Sequence, residues 1–412
     1  MANLKKLLKE AVGEKGIIFY RKVKYSLCNS ICALFPMKDE IILESHPDLS
    51  CNTYELFRYM LKQNLDQRYR LVWLVSEPEK YAREYSGNVE FINIYPKSIA
   101  EKMKLYLRCN RAKILVTTNR HIPKYQTSSK QLNVYIEHGS PIKYARPDIE
   151  GLSCGYFMSQ AQFFTPYLIE ELSIREEQIV NTGFPRNDQL FRDNSGIVSR
   201  LYADYDQFKK VIIWVPTFRK KILTSRVDSS FDMPLGIPII YSLEQLERVN
   251  GLLAELGILL IIKPHPAQDL HVLKEIDKSN IRLLYNDQML ACNIQTNELL
   301  SQTDAMITDY SGIYFDYLLL DRPIAVTLDD ITEYSNETGF VFENPLDILK
   351  GHHVYNNDDL CAFIESVAMG EDNMLAERTV MKNKTNEYCD GFSSKRVYDF
   401  IMEKVNAHEP KR

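Results

Sequence analysis

The chain of 412 residues lacks the features that mark several familiar protein classes. It has no stretch of about 18 apolar residues that could span a bilayer, and no signal peptide with a small-residue cleavage site. Its eight cysteines include no C-x-x-C pair and no histidine cluster at metal-ligand spacing, which argues against a zinc site. We therefore interpret the cysteines as reduced, mostly core thiols and expect a protein that stays in the cytosol.

A strong charge of one sign is also missing, because the formal net charge is −5 among 25% charged and 45% hydrophobic residues. This balance is typical of a globular chain and argues against a disordered or polyanion-binding protein, so no nucleic-acid partner is predicted. The sequence shows no internal repeat of solenoid length and no low-complexity tract. A chain of this length fits two domains of roughly 150–200 residues each, and two lobes imply a cleft.

Residues 1–36 differ from the rest of the chain. Lysine and arginine outnumber acidic residues there and are interleaved with leucine, isoleucine and phenylalanine. A basic amphipathic segment can lie on an anionic lipid leaflet. It can equally be a solvated helix that packs on its own domain, and the segment by itself leaves both interpretations open.

From Glu40 onward, short apolar runs alternate with longer helical patterns, which predicts βαβ units, parallel sheets and the α/β fold class. Strands of a first lobe are predicted at 41–43, 70–75, 89–92, 112–116 and 133–136, the last of which ends just before His138. A second lobe begins near residue 195, with strands predicted at 211–215, 259–262, 305–308 and 323–328.

Three of the second-lobe strands run into polar loops, at 216–219, 263–266 and 309–312. Because parallel sheets bind ligands at the carboxyl ends of their strands, three such loops point to a ligand site. Ser311 and Gly312 precede a helical stretch over 313–320, and a helix N-terminus favours a phosphate. Alternatively, Ser311 or Asp309 caps the helix, a role that is compatible with phosphate binding.

Two histidines at strand ends are the candidate catalytic residues. His138 opens the run 138–143, with the sequence HGSPIK, and His265 lies between two prolines in 263–266. Histidine is the side chain whose unperturbed proton affinity lies nearest neutral pH, and flanking prolines hold a ring in one orientation. Each histidine also has a structural interpretation, as a hydrogen-bonded loop residue or as part of a stiff turn. The catalytic hypothesis depends on the two imidazoles converging across one cleft.

Arginine and aspartate residues extend this candidate site. Arg186 and Arg219 each lie close to a proline, and the planar guanidinium suits phosphate oxygens. Asp304, Asp309 and Asp316 are close in sequence, but their spacing matches no calcium loop. No dedicated metal site is therefore predicted.

The order of the motifs resembles that of the CDP-glycerol glycerophosphotransferase family, the teichoic-acid primases and polymerases and their capsule-building relatives. The likeness covers roughly residues 38–405, and its motifs are 44–45 with Asn52, 71–73, 138–143, 183–188, 216–219, 263–266, 308–311 with 315–316, and 390–391 with Ser394 and Arg396. Ser140 and Ile142 stand where the family often has Thr and Leu, and Gly312 stands where it often has Ser. Glycine at 312 would let the backbone approach a phosphate closely.

The resemblance implies a GT-B architecture, in which two Rossmann-like lobes with parallel sheets face a central cleft. Residues 37–194 would form the acceptor-side lobe, residues 195–392 the lobe that binds the CDP donor, and residues 393–412 a helix that crosses back to the first lobe. Family members are peripheral membrane proteins at the cytoplasmic face of the cell membrane. The resemblance therefore favours contact of residues 1–36 with the inner leaflet, and it also allows a homo-oligomer.

The resemblance also implies a reaction. Glycerol phosphate, or a related alditol phosphate such as ribitol phosphate, would pass from CDP-glycerol or CDP-ribitol to a hydroxyl of an undecaprenyl-linked cell-wall or capsular glycopolymer, with release of CMP. Neutral His138 would remove the proton of the attacking hydroxyl. His265, Arg219 and the Ser311-Gly312 turn would stabilise the negative charge that develops on the leaving group.

The other site residues divide by the substrate that they would serve. They are Lys263, Thr308 and Asp309 for the donor, and Gly139, Lys143, Arg186 and Asp188 for the acceptor or for bracing the loops. No cofactor is predicted, and dependence on a divalent metal is left open. The alternatives are a GT-B glycosyltransferase that uses a nucleotide-sugar donor and a membrane scaffold that has lost activity.

Overall fold

The computed structural model describes residues 34–85, 87–118, 131–144, 155–217, 219, 228–265 and 276–408. These residues form two compact units. The first unit contains the described residues of 34–138, 155–158 and 394–408, and the second contains those of 139–144 and 159–393. The domain boundaries predicted at residues 36, 194 and 392 stay predictions, and almost all of the 1–36 leader lies outside the described residues.

The first unit is built on parallel strands. They are β1 (Lys38–Glu44), β2 (Arg70–Val75), β3 (Val89–Asn93), β4 (Ala112–Thr117), β5 (Leu132–Ile136) and β6 (Tyr156–Ser159), and neighbours follow the order β3-β2-β1-β4-β5-β6. The helices are Cys51–Lys62, Pro78–Tyr81, Ile99–Arg111 and Ser393–His408, the last from residue 394 onward. Strand β1 pairs with a strand on each side. Its consecutive apolar residues 41–43 are fully buried, as expected for a parallel strand that is covered on both faces of the sheet.

The helix Ile99–Arg111 shows how local sequence sets an element of this unit. The Ser98 hydroxyl accepts the Glu101 backbone N–H at 3.1 Å, and the Glu101 carboxylate accepts the Ser98 backbone N–H at 3.0 Å, which forms a capping box. The later turns bury Leu105 and Cys109 in the core, whereas residues 99–104 are exposed. The first turns of this helix therefore face solvent.

The second unit is a second α/β unit with parallel strands. Its strands are β7 (Ile179–Asn181), β8 (Lys210–Val215), β9 (Ile258–Ile262), β10 (Ile281–Leu283), β11 (Ala305–Thr308), β12 (Ile324–Thr327) and β13 (His352–Val354), of which six form a sheet in the order β10-β9-β8-β11-β12-β13. The helices are Thr165–Leu172, Ile197–Leu201, Leu243–Leu256, Asn286–Ala291, Thr296–Leu300, Ile313–Tyr317, Ile331–Glu337, Asn357–Met369 and Leu375–Thr385. The predicted α/β class with parallel sheets is confirmed.

Two features of the described part of the chain, its helices and its cysteines, bear on expectations from composition. No helix within it has both the length and the apolar character needed to cross a bilayer. Of its five cysteines, all free thiols, Cys109 and Cys361 are buried, Cys51 and Cys292 are half-buried and Cys389 is exposed. The expectation of mostly core thiols is therefore wrong for these residues, because three of the five lie at or near the surface.

Candidate active site

The carboxyl ends of β9, β8, β11 and β12 lie side by side at one edge of the sheet in the second unit. The sheet order brings together the three polar loops singled out in the sequence, and the loop after β12 adds a fourth. Parallel α/β sheets hold their ligands at this edge. The candidate site of the second unit is built from these four loops.

Arg219 is buried at this edge between two carboxylates. Its Nη1 donates to Asp309 Oδ2 at 2.9 Å and to Thr217 Oγ1 at 2.5 Å. Its Nε and Nη2 donate to the two oxygens of Asp330, at 2.6 and 3.1 Å. Burial would lower the pKa of the guanidinium, but Asp309 and Asp330 outweigh it and hold the pKa above its ordinary value. All three guanidinium nitrogens thus donate within the protein.

Two tyrosines pack against this arginine. The Arg219 Cζ lies 5.3 Å from the ring centroid of Tyr310 and 5.1 Å from that of Tyr334, both within range of a cation–π contact. The Tyr310 hydroxyl donates to Asp330 Oδ1 at 3.1 Å. Burial raises the pKa of both tyrosines, so their hydroxyls stay protonated. The network therefore combines aromatic and ionic contacts in a water-poor environment.

Asp309 also joins the end of β11 to the end of β8. Its oxygens accept the Thr217 backbone N–H at 3.0 Å and the Thr217 hydroxyl at 2.8 Å. The helix Ile313–Tyr317 has Gly312 at its N-cap and no side-chain cap. Neither Asp309 nor Ser311 caps this helix, so the capping alternative is wrong.

Gly312 lies directly against the loop that follows His138. A Cβ on Gly312 would fall 2.7 Å from Ser140 O and 3.2 Å from Ser140 N, which is closer than a side chain tolerates. A Cβ on Gly139 would lie 3.6 Å from both Gly312 Cα and Arg186 Nη2. The expected reason for glycine at 312 was the approach of a phosphate, but the backbone of Ser140 already requires it.

Lys143 adds contacts between this loop and other residues of the second unit. Residues Lys143 and Phe340 form an antiparallel bridge, flanked by a hydrogen bond from Val341 N to Ile142 O at 3.0 Å. The Lys143 Nζ lies 3.4 Å from Oδ2 of the buried Asp228. These contacts fit the loop-bracing role among the two predicted for Lys143.

Arg186 and Asp188 also make internal contacts. The Arg186 Nη2 lies 2.6 Å from Oδ2 of Asp316, whose full burial raises its pKa despite the nearby guanidinium. Asp188 Oδ1 accepts the backbone N–H of Ser393 at 2.7 Å. Both side chains therefore brace the second unit, which is again one of their two predicted roles.

Lys263 is a buried cation at the end of β9. Its Nζ donates to Asn286 Oδ1 at 2.9 Å, and its burial lowers the pKa to about 8. His265, two residues further on, is exposed. Thr308 donates its hydroxyl to Val215 O at 2.9 Å and so links β11 to β8. Donor binding by these residues stays a prediction.

His138 belongs to the first unit, two residues after the end of β5, and its side chain is 70% exposed. A peptide bond joins it to Gly139, the first residue of the loop that packs on Gly312. His138 and His265 belong to different units, so their convergence stays a prediction.

A sequence model of the family described as CDP-glycerol:poly(glycerophosphate) glycerophosphotransferase matches residues 28–403. The chain belongs to this glycerophosphotransferase family. Among its relatives, the teichoic acid glycerol-phosphate primase of Bacillus subtilis is 24% identical over 383 residues, which cover 88% of this chain and 90% of the relative. The teichoic acid poly(glycerol phosphate) polymerase of Bacillus spizizenii is 27% identical over 353 residues, with coverages of 77% and 82%.

Solved structures show the same fold. The structure of the wall teichoic acid polymerase TagF matches with a TM-score of 0.69 and 19% identity over 100% of both chains. A putative UDP-N-acetylglucosamine 2-epimerase from Listeria monocytogenes matches with a TM-score of 0.56 and 13% identity, over 90% of this chain and 97% of the other. These likenesses confirm the predicted GT-B architecture.

Membership of the glycerophosphotransferase family also identifies the reaction class. The protein is an enzyme that transfers an alditol phosphate from a CDP-activated donor to a glycopolymer acceptor. The sequence prediction of a CDP-alditol phosphotransferase is therefore confirmed, and the nucleotide-sugar glycosyltransferase is the weaker alternative.

Sequence reasoning missed several partners in this site. Asp330, Asp228 and Asn286 pair with Arg219, Lys143 and Lys263 but were not singled out. Asp330 lies shortly after β12, so the rule that found the other strand-end loops could also have found it. Asp228 lies outside any strand end, and no sequence signal links it to a lysine 85 residues away.

Proposed function

We propose that this enzyme transfers glycerol phosphate or ribitol phosphate to a hydroxyl of a lipid-linked cell-wall or capsular glycopolymer, and that its second unit binds the CDP-activated donor. The observation that carries the proposal is the edge where β9, β8, β11 and β12 end together, with buried cationic side chains behind it. Relatives named as glycerol-phosphate and ribitol-phosphate polymerases support the choice of an alditol donor.

Lys263 is the side chain that we assign to the donor pyrophosphate. It is buried, its amide partner Asn286 is neutral, and desolvation has lowered its pKa to about 8. A pyrophosphate beside Nζ would supply the missing negative charge and favour the protonated lysine. His265 follows two residues later in an exposed position, where its ring could donate to the same group.

Arg219 acts through other residues in this proposal. Its guanidinium already donates to Asp309, Asp330 and Thr217, so a direct phosphate contact would have to displace one of these bonds. We therefore assign Arg219 to positioning the loops after β8, β11 and β12. Lys143, Arg186 and Asp188 would brace the surrounding backbone in the same way.

The transfer itself needs a base. The acceptor oxygen forms a bond to the donor phosphorus while the bond from that phosphorus to the CMP oxygen breaks, and the hydroxyl proton must leave the acceptor. We assign that proton to His138, whose exposed ring immediately precedes the loop packed on Gly312. CMP leaves with the electron pair of the broken bond.

Attachment to the cytoplasmic face of the membrane is a further part of the proposal. The helix Ile99–Arg111 exposes 73% of Ile99 and 42% of Met103, which lie on one face because they are four residues apart, and Tyr95 before it is 52% exposed. Lys97, Lys102 and Lys104 lie in the same ten residues, 95–104, in which Glu101 is the single acid and is used by the cap. An apolar face ringed by lysines fits anionic lipid headgroups.

The decisive experiment supplies purified enzyme with a lipid-linked glycopolymer acceptor and either CDP-glycerol, CDP-ribitol or a nucleotide-sugar, and measures the nucleotide released. CMP from a CDP-alditol is expected, and release of a nucleoside diphosphate from a nucleotide-sugar alone would favour the glycosyltransferase alternative. His138→Ala should abolish CMP release while CDP-glycerol still binds in calorimetry. Full turnover by His138→Ala would refute the assigned base.

A further inference from the structure

Glu137 places a carboxylate directly beside the imidazole of His138. Its Oε1 contacts His138 Nδ1 and also accepts the His138 backbone N–H at 2.9 Å. The Glu137 side chain is only 12% exposed, whereas that of His138 is 70% exposed. The carboxylate is therefore the shielded member of the pair, and the ring projects towards solvent.

Two buried residues of the first unit hold Glu137 in this position. The Asn52 side-chain amide donates to the Glu137 carbonyl oxygen at 2.5 Å, which fixes the backbone immediately after β5. The Tyr135 hydroxyl donates to Glu137 Oε2 at 3.4 Å, so each carboxylate oxygen has a partner. Asn52 and Tyr135 are almost fully buried, and the carboxylate is thus supported from inside the unit.

This arrangement has a chemical consequence for the ring. In a neutral imidazole, a proton on Nδ1 that is donated to a carboxylate leaves the lone pair on Nε2. When Nε2 then takes the acceptor's hydroxyl proton, the ring becomes positive and the adjacent carboxylate stabilises it without itself being protonated. Catalytic bases are commonly oriented by a third group in this way.

We infer that Glu137 is a positioning residue, which holds His138 in the Nδ1–H tautomer and stabilises its protonated form during transfer. This inference rests on the proposed role of His138 as the base. Neither the strand-end motifs nor the family match assigns a role to Glu137, since the motif in the sequence begins at residue 138.

The test is Glu137→Gln in the full chain, because glutamine keeps the shape and an acceptor oxygen but removes the charge. Long-range proton–nitrogen spectra of the imidazoles, with the His138 signals identified from His138→Ala, report the tautomer directly. We expect the Nδ1–H form in the native enzyme and a mixture in Glu137→Gln. The kcat should fall by about 10- to 100-fold, with the KM for CDP-glycerol within about twofold of the native value. Glu84→Gln, which removes an exposed charge from the same unit, should change neither the kcat nor the tautomer of His138.

The outcomes separate this inference from the proposed function. Turnover by His138→Ala would overturn the base itself, whatever Glu137 does. An inactive His138→Ala together with native kcat and an unchanged tautomer in Glu137→Gln would overturn the inference alone. If Glu137→Gln does not fold, Tyr135→Phe carries the test: it removes the donor to Oε2, and a native tautomer and kcat in that variant would also count against the role of Glu137.

Discussion

Lys263 is 7% exposed and its pKa is about 8, because burial works against the ammonium charge. A lysine whose pKa is lower in the folded state than the unfolded value of about 10.4 destabilises the native protein in full below about pH 8. That penalty shrinks between about pH 8 and pH 10.4, since the native lysine loses its proton first. The buried charge of Lys263 therefore lowers the stability of the native protein, whereas the proposed contact with the donor pyrophosphate requires that charge.

Lys263→Met should raise the free energy of unfolding at pH 7 by about 1–3 kcal/mol, because it removes a desolvated charge. Urea denaturation at pH 7 and at pH 9.5 measures the effect, and the gain should be smaller at pH 9.5. The same variant should bind CDP-glycerol more weakly in calorimetry. If Lys263→Met is less stable than the native chain at pH 7, the buried charge of Lys263 does not destabilise the native protein.

Gly312→Ala should destabilise the second unit, because its Cβ would meet the backbone oxygen of Ser140 at 2.7 Å. Overpacking against backbone costs about 1–3 kcal/mol. Gly251→Ala is the matched control: its Cβ would meet nothing within 4 Å in the helix Leu243–Leu256, so it should stabilise by about 0.5–1 kcal/mol. Thermal unfolding of both variants is the measurement, and equal shifts in the two would argue against the close approach of Ser140.

Single residues were predicted unevenly from the sequence. His138, Lys263 and Asp309 were found because strand ends of a parallel sheet carry ligand sites, a rule that needs only local patterns. The partners of site residues were harder to predict. Asp330, for example, is 111 residues from Arg219 in the sequence, and a side-chain pair of that separation leaves no periodic signal. Arg219 was predicted to bind phosphate because the planar guanidinium suits phosphate oxygens, whereas its pairing with Asp309 and Asp330 is visible only in the fold.

At the scale of elements, the ends of β8, β11 and β12 are tied together by one buried ion network. Asp330→Ala should remove one of the two carboxylates beside Arg219 and leave a buried charge partly uncompensated, which costs about 3–5 kcal/mol. Asp358→Ala removes the carboxylate from the exposed pair with Arg248 and should have no measurable effect on urea denaturation. Similar losses of stability in both variants would show that burial does not determine how much an ion pair contributes to the free energy of unfolding.

Most strands of both units were predicted from apolar runs. The runs at 70–75 and 305–308 match β2 and β11 at both ends, because each contains a continuous apolar stretch, 71–75 or 305–307, that is bounded by polar residues. Strands β6 and β7 were missed, and so were β10 and β13. The last two have three residues each, and β13 contains His352 and His353, so neither offers an apolar run. Their pairing is set by the neighbouring strand in the sheet and not by their own composition.

At the scale of the whole molecule, the lysine-flanked apolar face at 95–104 should contribute to membrane attachment. Ile99→Ser combined with Met103→Ser should reduce the fraction of full-length protein that floats with phosphatidylglycerol vesicles, and added salt should reduce it further. Leu375→Ser with Val380→Ser removes two exposed apolar side chains from the second unit and is the control. Equal flotation of the native chain and the first variant would exclude this face as the contact surface.

The assignment of residues 139–144 to the second unit has a practical consequence for protein engineering. The chain passes from one unit to the other after residues 138, 158 and 393, and also between 144 and 155, so neither unit is one continuous stretch of sequence. In a chimaera that joins two relatives at a single point near residue 194, Phe340 would come from one parent and its bridge partner Lys143 from the other. Recombined enzymes of this kind should retain activity only when residues 139–144 and 159–193 come from the same parent as the rest of the second unit.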